Sequence, residues 1–239
     1  MRIFVAMTTH PHTAALYFQW DIRNWSKALP CWEKAIAAFP QTTHARRALE
    51  LGGREGGLSL WLTQQGFEVV CSDLSGAKDT ALPLHTQQGV TAKITYADID
   101  ATQIPFEQAF DVVVFKSIIG GIGRNNNKEI QQQVFAQIYK ALKPGGKLLF
   151  AENLTASPLH KFFRKRFTNW SGYWRYVTEA ELREFMQPFA HVELHTTGFA
   201  GTFGRNEKQK NLLARADEVL LNAITPRSWK YIAYGVAVK

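Results

Sequence analysis

The stretch Ala48-Leu49-Glu50-Leu51-Gly52-Gly53-Arg54-Glu55-Gly56-Gly57-Leu58-Ser59-Leu60-Trp61-Leu62 constrains the chain most. An apolar run ends in an acid, a glycine-rich bend follows, and apolar positions then recur at helical spacing, which is the pattern of a buried strand turning into a helix. Glycine has no Cβ, so it permits tight backbone angles and lets a ligand lie against the main chain. The first helical turn adds unpaired N–H groups. Such a unit cradles a nucleotide in some folds and is an ordinary turn in others. The next stretch narrows the choice. Glu68-Val69-Val70-Cys71-Ser72-Asp73-Leu74 is a second buried-strand run closed by an acid. Asp73 follows Gly52 by about 20 residues, the separation at which a second-strand carboxylate meets ribose hydroxyls.

The chain of 239 residues is long enough for one large domain with a substantial core, and no linker-like or low-complexity stretch divides it. No apolar run reaches the length of a membrane span, and residues 1–10 hold too short an apolar segment for a secretory signal, so a cytoplasmic protein is expected. Cys31 and Cys71 show neither metal-ligand spacing nor a disulfide pattern and read as packing residues; no metal site is expected. The formal charge of +8, 28 basic against 20 acidic side chains, favours anionic partners without choosing among nucleic acid, a lipid surface and a phosphorylated or carboxylated small molecule.

Residues 10–40 read as helical and aromatic. Trp25, Leu29, Trp32 and Ile36 recur at helical spacing, which predicts a helix packed on the main domain through an apolar stripe. Residues 1–44 are therefore read as an N-terminal helical extension and 45–239 as the main domain. A sharper reading makes the extension a lid over an acceptor pocket, with Tyr17 or Trp20 lining it. Further strands are expected at 92–97, 110–115, 147–151, 191–197 and 229–238. Helices are expected within 75–89, at 128–142, from 178 to about 186, and after the polar patch at 203–210. Lys143-Pro144-Gly145-Gly146 stops the helix before the fifth strand. Lys116, Ser117 and the loop Gly120-Gly121-Ile122-Gly123-Arg124 fall at the carboxyl end of the fourth strand, the edge where ligands bind in open α/β sheets.

With these pieces in order, residues 45–239 resemble the class I S-adenosylmethionine-dependent methyltransferases, of the small-molecule type. The family's Glu-x-Gly-x-Gly-x-Gly pattern is met at Glu50, Gly52 and Gly56, and the acid closing its second strand at Asp73. The stretch Asp100-Ala101-Thr102-Gln103-Ile104-Pro105-Phe106 looks like its adenine-contacting segment, and Leu142-Lys143-Pro144-Gly145-Gly146 like the turn before its fifth strand. The resemblance implies a Rossmann-like α/β fold: seven mostly parallel strands in the order 3-2-1-4-5-7-6, strand seven antiparallel, with helices on both faces. It also implies S-adenosylmethionine as cofactor. Glu50, Gly52, Gly53, Arg54 and Gly56 would form its turn, Asp73 with Leu74 would hold the ribose, Asp100 would face the adenine amino group with the Ala101 backbone at the ring, and Lys116 and Ser117 would border the site. Asp98, two residues earlier, competes with Asp100. One departure is Arg54, where the family has its middle glycine. Its guanidinium either pairs with the methionine carboxylate of the cofactor or points to solvent.

The acceptor is less legible. The chain has Lys116-Ser117-Ile118-Ile119 where family members that methylate amino groups of DNA bases or protein glutamine carry Asn/Asp-Pro-Pro-Tyr, which favours hydroxyl, carboxylate or carbon acceptors. Lys116 could bind an anionic acceptor, act as a base if burial lowers its pKa, or form a salt bridge with Glu152. Glu152 and Asn153 could orient an acceptor hydroxyl, and His10, His12 and His160 are candidate bases. Residues 160–176 interleave cations with aromatics. They read either as a helix that buries its phenylalanines with its cations solvated, or as a surface for anionic lipid, a phosphorylated substrate or RNA. The expectation is a methyltransferase acting on oxygen of a metabolite, glycan or lipid-linked intermediate. An RNA methyltransferase and a catalytically silent cofactor-binding protein of the same fold are the alternatives.

Overall fold

The computed structural model describes residues 11–167 and 173–239, with side chains from residue 13 onward; His10 and the His12 side chain lie outside it. Its centre is a seven-stranded sheet formed by β1 (Arg47–Leu51), β2 (Glu68–Asp73), β3 (Ile94–Asp98), β4 (Phe110–Lys116), β5 (Leu142–Asn153), β6 (His191–Thr197) and β7 (Ile232–Val238). Strands lie in the order β3-β2-β1-β4-β5-β7-β6, as the resemblance implies. The first five pair in parallel, and β7 runs antiparallel between β5 and β6.

Side chains alternate across a strand, so each central strand feeds two cores. Leu49, Leu51, Val113, Phe115, Leu148 and Phe150 face one layer, which holds α6 (Ile119–Ile122), α7 (Lys128–Ala141) and α9 (Glu179–Phe185). Ala48, Val112, Val114, Leu149 and Ala151 face the other. That second layer contains α1 (Pro11–Tyr17), α2 (Ile22–Trp25), α3 (Ala28–Ala37), α4 (Gly57–Gln64) and α5 (Ala77–Gln87). The extension thus supplies core rather than trailing from it. Trp25, Leu29 and Trp32 are buried; Trp32 donates its indole N–H to Gly235 O at 3.0 Å and lies 5.7 Å from the Trp61 ring. Each such side chain contributes about 2–3 kcal/mol of burial.

Three local expectations are corrected. Residues 10–40 form three helices rather than one, because Asp21 takes a left-handed conformation (φ 48°) and the N–H groups of Asp21 and Ile22 bond to Glu207 on α10 (Glu207–Ala216). β5 does not begin at Lys147: it starts at Leu142, and the Lys143–Gly146 stretch is accommodated by a register shift against β4 between Phe110 and Val112. The helix α8 (Pro158–Phe167) keeps its cations Lys161, Lys165 and Arg166 solvated but does not bury its phenylalanines, as one of its two readings expects. Phe162 and Phe167 are 64% and 65% exposed. Inside are His160 and Arg164, whose guanidinium reaches the carbonyls of Leu154 and Thr155 at 2.7 and 3.1 Å, closing the end of β5. Residues 168–172 of that stretch lie outside the description. Among the described residues, no helix is long and apolar enough to cross a membrane.

Candidate functional site

The turn after β1 is fixed by its neighbours from below and from the side. Gly52 (φ 65°) and Gly56 (φ 73°) occupy the left-handed region, and added Cβ atoms would lie 2.4 Å from Ile118 Cγ2 and 2.4 Å from His85 Nε2 respectively, so neither position admits a side chain. Glu50 sits fully buried behind the turn. Its carboxylate accepts from Ser59 N at 2.8 Å and Ser59 Oγ at 2.5 Å, joining β1 to the start of α4, and burial pushes its pKa up to about 7. His85, on α5, was not singled out in the sequence. It donates from Nε2 to Gly56 O at 2.9 Å and accepts from the Tyr96 hydroxyl at Nδ1, a neutral ring that pins the bend from the flank.

Around the turn lie the remaining sequence-identified groups. Asp73, at the end of β2, accepts from Arg54 N at 2.9 Å and from Leu74 N at 2.7 Å, so the second-strand carboxylate lies directly beside the glycine turn. Arg54 has φ 50°, a strained value for a residue with a side chain, and its guanidinium stacks 5.6 Å over the Trp20 ring rather than simply extending into solvent. Asp98 accepts from Ala77 N at 3.0 Å and so holds the start of α5. Asp100 is exposed, next to Ala101, and accepts from Thr102 N and Oγ1. Both competing acids are exposed and each accepts a backbone N–H, Asp98 from the start of α5 and Asp100 from its own loop.

Lys116 ends β4. The alternation that places Val112 and Val114 on the layer of the N-terminal helices places Lys116 there too, where its Nζ lies 3.2 Å from the Trp20 ring centroid, 5.0 Å from Trp25 and 6.0 Å from Phe18. This Nζ is buried and has no hydrogen-bond partner among the described residues. Burial, with repulsion from Arg54, pushes its pKa down to about 7. The salt bridge to Glu152 is absent, for a geometric reason. Lys116 pairs in register with Ala151, so Glu152 leaves β5 on the opposite face. Its carboxylate accepts from Ile119 N and Asn153 N, both at 2.8 Å, and burial raises its pKa to about 7. It holds the backbone behind Lys116 and is not free to orient an acceptor. Ser117 follows with φ 56° and accepts from Asn153 Nδ2 at 2.6 Å, a strained residue at the carboxyl edge of the sheet.

Tyr17, Gln19, Trp20, Gly52, Gly53, Arg54 and Lys116 line one cleft over the glycine turn, with Glu50 at its base. It holds about 20 Å³ of water-accessible space, little more than one water, because Trp20 and the two cations fill it. Tyr17 and Trp20, one or the other of which is expected to line an acceptor pocket, both line this cleft over the glycine turn. His160 is not among the residues that line it. Its ring accepts from Ser157 Oγ and donates to Phe199 O, and burial lowers its pKa to about 4, so it is a packing group. Trp174, also missed in the sequence, packs on Gly120, where a Cβ would meet its indole nitrogen at 1.8 Å. That nitrogen, like Lys116 Nζ and Trp61 Nε1, is a buried donor without a partner among the described residues.

A mostly parallel sheet, two left-handed glycines in the turn after β1 and an acid at the end of the adjacent strand, at the topological switch point between β1 and β4, are the features with which open α/β sheets hold nucleotide cofactors. Residues 49–150 match the methyltransferase domain family, and the strand order is that of the class I, S-adenosylmethionine-dependent fold. More particularly, the chain is 27% identical over 149 residues to the ubiquinone/menaquinone biosynthesis C-methyltransferase UbiE of Stutzerimonas stutzeri, a match covering 59% of this chain and 54% of that protein. It spans about half the length of the curated relatives it matches. Among solved structures it is similar to phosphoethanolamine N-methyltransferase 2 of Haemonchus contortus in complex with S-adenosyl-L-methionine, with TM-score 0.62, 20% identity, and 98% of this chain and 58% of that one covered. A geranyl diphosphate C-methyltransferase from Streptomyces coelicolor gives TM-score 0.61 at 13% identity, covering 90% and 78%. At these identities the structural likeness is one of fold. The turn, the adjacent Asp73 and the exposed Asp100 fit S-adenosylmethionine.

Proposed function

We propose that the chain transfers a methyl group from S-adenosylmethionine to a small organic acceptor that gives up a proton, with Lys116 receiving that proton or balancing the resulting anion. The observation that supports this best is the Lys116 Nζ, buried, without a hydrogen-bond partner and lining the cleft over Gly52 and Gly53. The cofactor, when bound, supplies a methyl group already activated on a sulfonium. What the protein adds is alignment, exclusion of water and control of the acceptor's proton. Asp73 would hold the ribose, Asp100 and the Ala101 backbone the adenine, and Gly52, Gly53 and Arg54 the methionine end, with Glu50 keeping the turn in shape behind them. Residues 16–20 would act as a lid whose ring, Trp20, swings out to admit the cofactor.

A hydroxyl on a metabolite, glycan or lipid-linked intermediate answers this description. A phenolate or enolate answers it doubly, because its charge is shared between oxygen and a neighbouring carbon, so one site serves O- or C-methylation. That two similar proteins are named C-methyltransferases supports the carbon outcome. The filled cleft and Arg54 favour one other reading, a cofactor-binding protein without turnover. Calorimetric titration with S-adenosylmethionine, repeated with Asp73→Ala, tests the cofactor half. Micromolar binding weakened by about 1 kcal/mol or more is expected, and absence of binding overturns it. An acceptor screen with phenolic and enolic compounds then separates the two readings, the silent one being favoured by binding without turnover.

A further inference from the structure

Outside the cleft, the surface of α8 joins a run of rings that the methyl-transfer site does not use. Phe162 packs edge-on against Phe163 at 5.6 Å, and Phe163 stacks on Phe167 at 5.6 Å. Phe163 also meets Phe203 at 5.2 Å, Phe203 meets Phe199 at 6.3 Å, and Phe199 stacks on Trp229 at 6.5 Å. The ribbon is open at both ends: Phe162 and Phe167 are 64% and 65% exposed, and Trp229 is 45% exposed. Exposed aliphatics stand on α8 and on a helical end tied to the ribbon's backbone. Leu159 stands on α8 itself, and Asp217 accepts from the N–H groups of Ala200 and Gly201, tying the ring-bearing segment to the helical end that exposes Val219 and Ile224. On α8 the charge is of one sign: Lys161, Lys165 and Arg166 are exposed and the helix carries no acidic residue, while Glu218 beside Val219 is paired with Arg23.

We propose that this face docks on a lipid bilayer that carries anionic headgroups, with the aromatic ribbon inserted at the interface and the α8 cations over the phosphates. Isolated apolar side chains on a surface need no explanation, but a connected aromatic ribbon beside aliphatics and a purely basic helix does. Aromatic rings settle at the boundary between headgroups and acyl chains, and nearby lysines and arginines add attraction to anionic lipid. Single-stranded RNA would also use rings and cations, by stacking, yet it gives no role to Leu159, Val219 and Ile224. The charge complementarity and the aliphatic edge together select the bilayer. Arg164 belongs to the design from the inside. By turning its guanidinium in to β5 it rolls the phenylalanine face of α8 outward.

The test is co-sedimentation of the full chain with vesicles of phosphatidylcholine alone and of phosphatidylcholine mixed with phosphatidylglycerol. Binding to the anionic vesicles, weak or absent binding to the neutral ones, and loss of affinity with added salt are expected. The pair Phe162→Ser and Phe167→Ser, both at exposed positions, should lower vesicle affinity by about tenfold or more without moving Tm. Lys161→Gln, Lys165→Gln and Arg166→Gln should each lower it about fivefold. S-adenosylmethionine affinity should be the same in these variants as in the parent, so the result is independent of the methyl-transfer reading. Failure to bind anionic vesicles, binding that the ring and charge variants leave unchanged, or binding of single-stranded RNA in place of vesicles would each overturn the proposal.

Discussion

Lys116 and Glu152 leave neighbouring strands one register step apart, and that single step decides their chemistry. On one face an ammonium is left among Phe18, Trp20 and Trp25; on the other a carboxyl is spent on backbone N–H groups. With its pKa near 7, Lys116 is neutral above that value and charged below it. If it removes the acceptor's proton, kcat/KM rises with pH up to about 7 and then levels. Lys116→Met should lower kcat by about 10²-fold to 10⁴-fold and abolish that rise. Lys116→Arg, which keeps the charge but cannot act as a base, tells proton removal from anion binding: activity retained with Arg would assign Lys116 to binding. A second residue-scale expectation concerns the turn. Gly56→Ala forces a Cβ onto His85 at φ 73°, so a loss of about 1–2 kcal/mol is expected from backbone conformation alone, with the collision adding to it, read by denaturant unfolding. The glycines and Asp73 were legible because their residue types are dictated locally. His85 was not, because nothing in Leu84-His85-Thr86 shows that a bend 29 positions earlier lies against it.

At the scale of elements, period-two and helical patterns located every strand and most helices, since burial on one or both faces writes those periods directly into sequence. The patterns failed where a side chain's partner is a distant backbone group. Arg164 outcompetes the phenylalanines of α8 for the inside because the carbonyls ending β5 need donors, and no hydrophobic period records that need. Likewise the break at Asp21 depends on Glu207 from the far end of the chain. The N-terminal segment divides accordingly. α3 is core, through Trp32 and Leu29, whereas Trp20 is only partly buried and fills the cleft. Trp20→Ala should therefore open the site. An increase in S-adenosylmethionine affinity of about fivefold is expected from losing the ring's contacts with Lys116 and Arg54, measured by calorimetry, together with a lower kcat if the ring also excludes water during transfer. Unchanged affinity would show that Trp20 does not stand in the cofactor's place.

The whole molecule carries an unusual set of buried ionisable groups around the sheet's carboxyl edge, and their linkage to folding has opposite signs. Burial raises Glu50 and Glu152 from 4.5 to about 7 and Asp21 from 3.8 to about 6. Folding therefore favours their protonated forms. Their contribution is fully present below the unfolded values and is lost as pH rises through about 6 to 7. Lys116 is lowered from 10.5 to about 7, so the folded state bears the full cost of its charge below pH 7 and is relieved of it as pH climbs toward 10.5. The two limbs meet, and these groups together predict a stability minimum near neutral pH. Glu179 and Glu181, kept low by hydrogen bonds to Arg227, Arg183 and Arg175 despite partial burial, act only at more acid pH, whereas His160, lowered by burial to about 4, and His85, also lowered, gain stability as pH rises toward 6.5 and offset part of the acid-side fall. For each buried glutamate the displacement corresponds to about 3 kcal/mol at most. Tm followed from about pH 5 to about pH 9 should dip near 7. Glu50→Gln should flatten the acid-side fall, since the amide keeps the bond from Ser59 and cannot ionise, and Lys116→Met should flatten the alkaline rise. A monotonic profile in the parent, or a dip that survives both substitutions, would show that the ionisation of these groups is not coupled to folding. If the dip is found, cofactor binding at neutral pH acts on a fold that its own site residues hold below maximal stability.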